Sequence, residues 1–242
     1  MQKNTVTANG QAAEPKTLVE SAYQALRRDI IECRLRPGTK LRVEHLKNDY
    51  GVGAGTLREA LSLLISDALV VSQGQRGFRV APVSLDDFAD ITRTRVMLEC
   101  EALRQSIAAG DDAWEGELMV AFHRLSKAEE RLGEAAGEAE WEERNRVFHE
   151  VLIAACPSRW IKHFLSILYQ QAGRYRHLSL AFNPIPRNVH AEHEALFEAV
   201  MAREAERAAA IMAEHIELTY RSIQALPEEL LHGTPATAPR AA

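Results

Sequence analysis

The sequence predicts a mainly α protein in two parts: an N-terminal winged helix-turn-helix over residues 16–82 and a C-terminal all-helical antiparallel bundle over residues 83–226. Two observations carry this. Up to Val80, helical periodicity gives way to short β-forming runs, and beyond Ser84 every strand signal disappears. The charge divides at the same place. Residues 16–82 hold 11 Lys/Arg against 7 Asp/Glu, and residues 83–242 hold 17 against 26. A basic third on an acidic remainder suits a nucleic-acid module joined to one that meets something else.

Residues 1–15 are polar and without period, which predicts a flexible tail. From Thr17 an apolar stripe (Leu18, Ala22, Leu26, Ile30) predicts a helix that ends near Arg34, with Pro37-Gly38 as the following turn. A short helix over 43–50 is broken by Gly51-Val52-Gly53, and a longer one starts near Gly55 or Thr56, with Leu57, Ala60, Leu61 and Leu64 inward. Residues 69–72 and 78–80 are rich in β-formers around a basic, glycine-flanked tip at 73–77, which predicts a hairpin. Ser84 caps the next helix, and helices are expected over 85–109, 112–132, 141–156, 160–180, 187–202 and 205–226. Residues 227–242, with their Thr-Pro-Ala-Thr-Ala-Pro run, are expected to be a disordered tail.

The composition, 46% hydrophobic and 26% charged, is ordinary for a globular protein. No apolar run approaches the roughly 20 residues that span a bilayer, and the N-terminus lacks a signal-peptide core. Cys33, Cys100 and Cys156 form no C-x-x-C pair. These features point to a cytoplasmic protein without a membrane partner.

A helix that enters the major groove with its N-terminus needs small residues there, so that backbone N–H groups can approach phosphate. Gly53, Ala54, Gly55 and Thr56 meet that need, Arg58 on the first turn can reach a guanine edge or a phosphate, and Arg42 is a further candidate contact. Gln75, Arg76 and Gly77 form a wing tip able to reach the minor groove or backbone. The segment from Tyr50 to Leu61 resembles the recognition-helix signature of the GntR family of bacterial regulators. Pro37-Gly38-Thr39-Lys40-Leu41 and Gln75-Arg76-Gly77-Phe78-Arg79-Val80 resemble that family's Pro-Gly turn and Arg-Gly wing. The resemblance implies double-stranded operator DNA as partner. The family usually has Ser/Thr-Arg where this chain has Gly53-Ala54, so one common base contact is replaced and a different preferred operator is expected.

The helical part resembles the C-terminal domain of the family's FadR subfamily (the FCD domain). The resemblance is carried by Arg95-Val96-Met97-Leu98-Glu99, Asn145-Arg146-Val147-Phe148-His149, Glu192-His193-Glu194-Ala195-Leu196 and His215-Ile216. More narrowly, Gly51-Val52-Gly53 and Arg174-Tyr175-Arg176 resemble repressors of glutarate and 2-hydroxyglutarate catabolism. What this implies is a metal site at Asn145, His149, His193 and His215, holding zinc or nickel. An effector site is implied at Arg95, Asn145, His149, Arg174, His193 and His215, taking a small carboxylate such as a diacid or hydroxyacid. Asn145 and His149 are four apart and share a helix face, and three imidazoles with one oxygen are a reasonable donor set for such an ion. Metal-binding members commonly have Asp where this chain has Asn145, a neutral and poorer donor, which either weakens metal binding or leaves three histidines and lets an acidic effector complete the shell. Arg174, Tyr175 and Arg176 are adjacent and cannot all face one pocket; Arg174 is taken as the second anion anchor beside Arg95.

The family likeness further implies a homodimer that represses until its ligand releases it from DNA. Two alternatives stay open. A sensor of the same kind could hold its ligand by polar side chains without a metal. A hydrolase could use the three-histidine metal, although no H-E-x-x-H or G-x-S-x-G motif accompanies it.

Overall fold

The structure is a computed structural model that describes residues 17–72, 74, 77–132, 137–182 and 187–226. The tails expected over 1–15 and 227–242, and the wing-tip candidates Gln75 and Arg76, lie outside the described residues. The order is α1 (Leu18–Ile31), β1 (Lys40–Leu41), α2 (Val43–Asp49), α3 (Ala54–Ser66), β2 (Val70–Ser72) and β3 (Phe78–Val80). Then follow α4 (Leu85–Ala109), α5 (Asp112–Glu129), α6 (Gly137–Leu152), α7 (Arg159–Phe182), α8 (Val189–Met201) and α9 (Ala205–Gln224). This is a winged helix-turn-helix followed by a helical bundle.

The N-terminal core is assembled from the predicted stripe. Ala22, Leu26 and Ile30 of α1 pack on Leu57, Ala60, Leu61 and Leu64 of α3 and on Leu69, Val70 and Val80 of the sheet. The sheet has three antiparallel strands in the order β1-β3-β2, with Lys40 opposite Arg79 and Val70 opposite Val80. The strand β1 was not expected. It is two residues long, too short for a local β signal, and exists through β3: Gly38 N–H donates to Val80 O (3.1 Å) and Val80 N–H to Thr39 O (2.9 Å). Gly38 turns the chain into it at φ +76°, a left-handed backbone that glycine adopts without strain.

The bundle has a separate core in which Leu103, Leu118, Leu125, Phe148, Leu152, Leu196 and Met212 are fully or almost fully buried. Three of its helices, α4, α5 and α8, start on side-chain caps: Ser84 Oγ accepts from Asp87 N–H (3.1 Å), Asp111 Oδ1 from Trp114 N–H (2.9 Å) and Asn188 Oδ1 from Ala191 N–H (3.1 Å). The helix α6 starts at Gly137, ahead of the residue 141 expected. Among the described residues no helix is long and apolar enough to cross a membrane.

A third cluster, Val83, Phe88, Ile91, Ala172, Tyr175 and Ile223, sits where the chain leaves the winged part. Here α7 reaches across. Arg27 of α1 donates to Gln170 Oε1 (3.1 Å) and Gln171 to Asp67 O at the end of α3 (2.5 Å). The Tyr175 hydroxyl lies 3.1 Å from Ser84 O, and its ring stacks on Phe88 at 4.1 Å.

Candidate metal centre and nucleic-acid face

Three histidines predicted from sequence meet inside the bundle, and the fourth predicted side chain, Asn145, is buried one turn before His149. Asn145 and His149 project one turn apart from α6, His193 comes from α8 and His215 from α9, and all four are at least nine-tenths buried. One ligand atom from each histidine lies within 4.8 Å of the others. Phe148 packs edge-on against His193 with centroids 5.4 Å apart, closing the cluster off with apolar surface.

The remaining valences are arranged around the rings. His193 Nδ1 is 2.7 Å from Glu129 Oε1 and His215 Nδ1 is 2.8 Å from Glu192 Oε2. Glu192 is gripped by Arg187, whose Nε donates to Oε1 at 2.9 Å and whose Nη1 donates to Thr219 Oγ1 at 2.9 Å. Asn145 Nδ2 donates to the Tyr169 hydroxyl at 2.7 Å. Asn145 Oδ1, His193 Nε2 and His149 Nδ1 are buried without any hydrogen-bond partner.

Burial, then the neighbouring imidazoles, hold His149 well below the ordinary histidine range, and burial brings His215 down to about 4. Both are therefore neutral near pH 7, the form that offers a lone pair to a metal. Burial pushes the Glu192 carboxyl up, but the hydrogen bonds from His215 and Arg187 outweigh it and bring it down to about 2. Such a set of neutral nitrogens beside an unpartnered carboxamide oxygen fits a divalent cation, so the His triad could hold a metal.

Arg95 is brought to this site; Arg174 is not. Arg95 is buried on α4, bonded through Nε and Nη2 to Glu99 Oε1 (2.7 Å each), and lies 5.3 Å from the Tyr169 ring centroid. Arg174 points to the linker instead and donates to the carbonyl of Ala81, with Gln171 Oε1 at 3.4 Å. The cation in its place is Arg176, two residues on. It sits 4.0 Å from the Tyr169 ring centroid and pairs with Glu142 Oε1 at 2.6 Å. A helix turns about 200° in two residues, so the assignment of the anchor moves to the opposite face. The i, i+7 spacing of Tyr169 and Arg176 was the available signal. Glu99, Glu129 and Glu192 were also missed as partners of the histidines.

The start of α3, like those of α2 and α9, has no side-chain cap, and unlike them it has no acidic residue in its first turn. Its N-cap is Gly53. Gly53, Gly55 and Arg58 are exposed, Thr56 is half-buried, and Arg42 is exposed at the start of α2. A Cβ added at Gly53 or Gly55 would meet nothing within 4 Å, so the approach is open. Gly77 follows the tip at φ +89°.

Residues 18–80 match the family model of bacterial regulatory proteins of the gntR family, and residues 90–218 match the FCD domain. The chain belongs to the GntR family, with an FCD domain. It is 50% identical over 207 residues to the HTH-type transcriptional regulator BphR of Paraburkholderia xenovorans strain LB400, covering 85% of this chain and 84% of that one. It is 34% identical over 198 residues to the HTH-type transcriptional repressor GlaR of Escherichia coli K12, covering 80% and 90%. The E. coli McbR/YncC structure shares the fold at a TM-score of 0.70 and 21% identity, covering 86% of this chain and 97% of that one. A GntR regulator of Rhodococcus sp. RHA1 does so at 0.68 and 22%, covering 85% and 97%. These families and relatives are transcriptional regulators rather than enzymes, so the chain is a ligand-responsive DNA-binding regulator and the hydrolase alternative is set aside.

Proposed function

We propose that the protein is a cytoplasmic homodimeric repressor: residues 16–82 hold operator DNA, and residues 83–226 sense a small carboxylate beside a bound metal ion. The observation that carries this reading is the buried cluster. Three imidazoles converge, and Asn145 Oδ1 and His193 Nε2 are buried without a partner, at a cost of about 1–3 kcal/mol each. A single divalent ion satisfies them together, and imidazole-rich donors favour zinc or nickel. Such an ion supplies a Lewis-acidic point at which an acidic effector can complete the coordination.

Arg95 and Arg176 then do the charge recognition. Both lie against Tyr169, whose hydroxyl holds Asn145, and both act electrostatically on His149, so two guanidiniums stand close to the cluster. Each is engaged by an internal carboxylate, Glu99 or Glu142, which an effector carboxylate would displace or share. This favours a diacid or hydroxyacid, one end at the metal and the other at the arginines.

On DNA, the bare N–H groups at the start of α3 donate to a phosphate, while Arg58 reads a base edge and Arg42, Gln75 and Arg76 add contacts. Two-fold symmetry sets the two α3 helices in successive major grooves. The helix α7 joins the two events. Tyr169 touches the effector side, and Gln170, Gln171 and Arg174 on the following turn hold α1, the end of α3 and the linker. A ligand that binds better when α7 is shifted lowers the population of the DNA-binding arrangement by its differential affinity.

The test is thermal stability against a panel of small mono-, di- and hydroxyacids, with zinc or with a chelator. A binder at a hundred times its Kd adds about 2.7 kcal/mol. A diacid that raises Tm only in zinc supports the reading. A panel in which no acid raises it overturns the pocket.

A further inference from the structure

We infer that Glu99, Glu129 and Glu192 are positioning residues that aim the three imidazoles at the metal and supply the negative charge that Asn145 lacks. The inference rests on the metal reading above and deepens it.

The pattern is the same at each histidine. Every ring turns its Nδ1 toward a glutamate of a different helix: His193 of α8 toward Glu129 of α5 at 2.7 Å, His215 of α9 toward Glu192 of α8 at 2.8 Å, and His149 of α6 toward Glu99 of α4 at 3.9 Å. Every glutamate is in turn held by a second group. Glu129 spans His193 and the more exposed His190, whose Nδ1 lies 2.6 Å from Oε2; Glu192 is clamped by Arg187; Glu99 is paired with Arg95. The two unpartnered atoms that face each other, Glu99 Oε2 and His149 Nδ1, mark the one contact still open by about an ångström beyond hydrogen-bond length.

The chemistry follows from imidazole itself. A carboxylate that accepts from Nδ1–H fixes that tautomer, leaves the Nε2 lone pair for an ion, and makes that nitrogen more basic. At His193 the atom left over, Nε2, is buried and without any partner. The immediate donors, three imidazoles and a carboxamide, carry no charge to set against a divalent cation; the carboxylates one ring away supply it, Glu129 beside two histidines and, in part, Glu99 and Glu192, whose charge Arg95 and Arg187 share. Because they come from α4, α5 and α8, the outer ring also ties the metal to helices that hold none of the other histidine rings or only one.

Replacing carboxylate by carboxamide tests this, because Gln keeps the size and an accepting oxygen while removing the charge. Zinc affinity of the full chain is measured by competition with a chelating dye for wild type, Glu129→Gln, Glu192→Gln and the control Glu206→Gln, whose exposed partner is Arg104. Thermal melts in chelator are run beside it. A loss of about 10–100-fold in zinc affinity for the first two variants, with the control unchanged, supports the inference. The loss must also exceed what any change in metal-free melting accounts for, which a purely structural ion pair would not produce. Wild-type affinity in both variants overturns it and leaves the metal site standing. Should Glu129→Gln not fold, Glu192→Gln alone decides. A wild-type chain that takes no zinc overturns the metal reading and this inference together.

Discussion

The start of α3 and the histidine cluster both leave polar groups without a protein partner, but one does so at the surface and the other in the interior. At Gly53 the free N–H groups are open to water, so leaving them bare costs little, and the side-chain cap present at α4, α5 and α8 is simply omitted. Around His149, His193 and Asn145 water is excluded, and each orphan atom carries a real penalty. The comparison teaches which kind of ligand each region expects. A large, highly charged duplex can be met by exposed donors held ready on a rigid helix, whereas a small ion needs an enclosed set whose orientation is fixed in advance.

Acid breaks the interior and spares the surface. His215 titrates at about 4 in the folded chain and near 6.5 when unfolded, so below pH 6.5 the unfolded chain takes up a proton that the folded one refuses. The contribution of this group to the stability of the metal-free protein is therefore constant above that pH and falls as pH drops from about 6.5 to about 4, by roughly 3 kcal/mol. His149 adds a loss of the same sign. Glu192, low when folded, extends the loss below its unfolded value near 4.5. Urea melts in chelator across this range check the slope; a flat profile contradicts the buried neutral imidazoles.

A substitution within the cluster has the next largest effect. His193→Ala removes a fully buried ring from α8 and should abolish the zinc-dependent rise in melting temperature, worth about 2.7 kcal/mol at a hundred times Kd. DNA affinity without effector should change little. Equal zinc stabilisation of variant and wild type would detach His193 from the site.

At the surface the effects are smaller and move different readouts. Arg58→Ala should weaken DNA binding by about 1–3 kcal/mol, measured by fluorescence anisotropy at fixed salt, with melting unchanged because the side chain is exposed. Gly53→Asp sharpens the contrast. A cap at α3, where a Cβ meets nothing, should raise stability by a few tenths of a kcal/mol while repelling phosphate and lowering DNA affinity. Unimpaired DNA binding by that variant would remove the helix start from the interface.

The sequence made the helices legible because their apolar positions recur with a helical period over many turns, and it offered the candidate donors through their resemblance to the FCD domain, with the i, i+4 spacing placing Asn145 and His149 on one helix face. It did not reveal β1, which exists only through pairing with β3 some forty residues on. Nor did it reveal Glu99, Glu129 and Glu192. Acidic residues are common on helices, and which of them meets a ring depends on how α4, α5 and α8 pack. Between Arg174 and Arg176 the choice was one of helix rotation. Tyr169 and Arg176 share a face while Arg174 turns to Ala81, and only the packing of α7 against both halves decides that.

The most direct measurement is binding of the protein to an operator selected from random-sequence DNA, titrated with a diacid that raises its melting temperature, in zinc and again after chelation. Release of DNA by the acid in zinc, and its loss on chelation, is the expected result. Release that is equal with and without metal, or DNA binding that the acid leaves untouched, would contradict a metal-anchored carboxylate sensor.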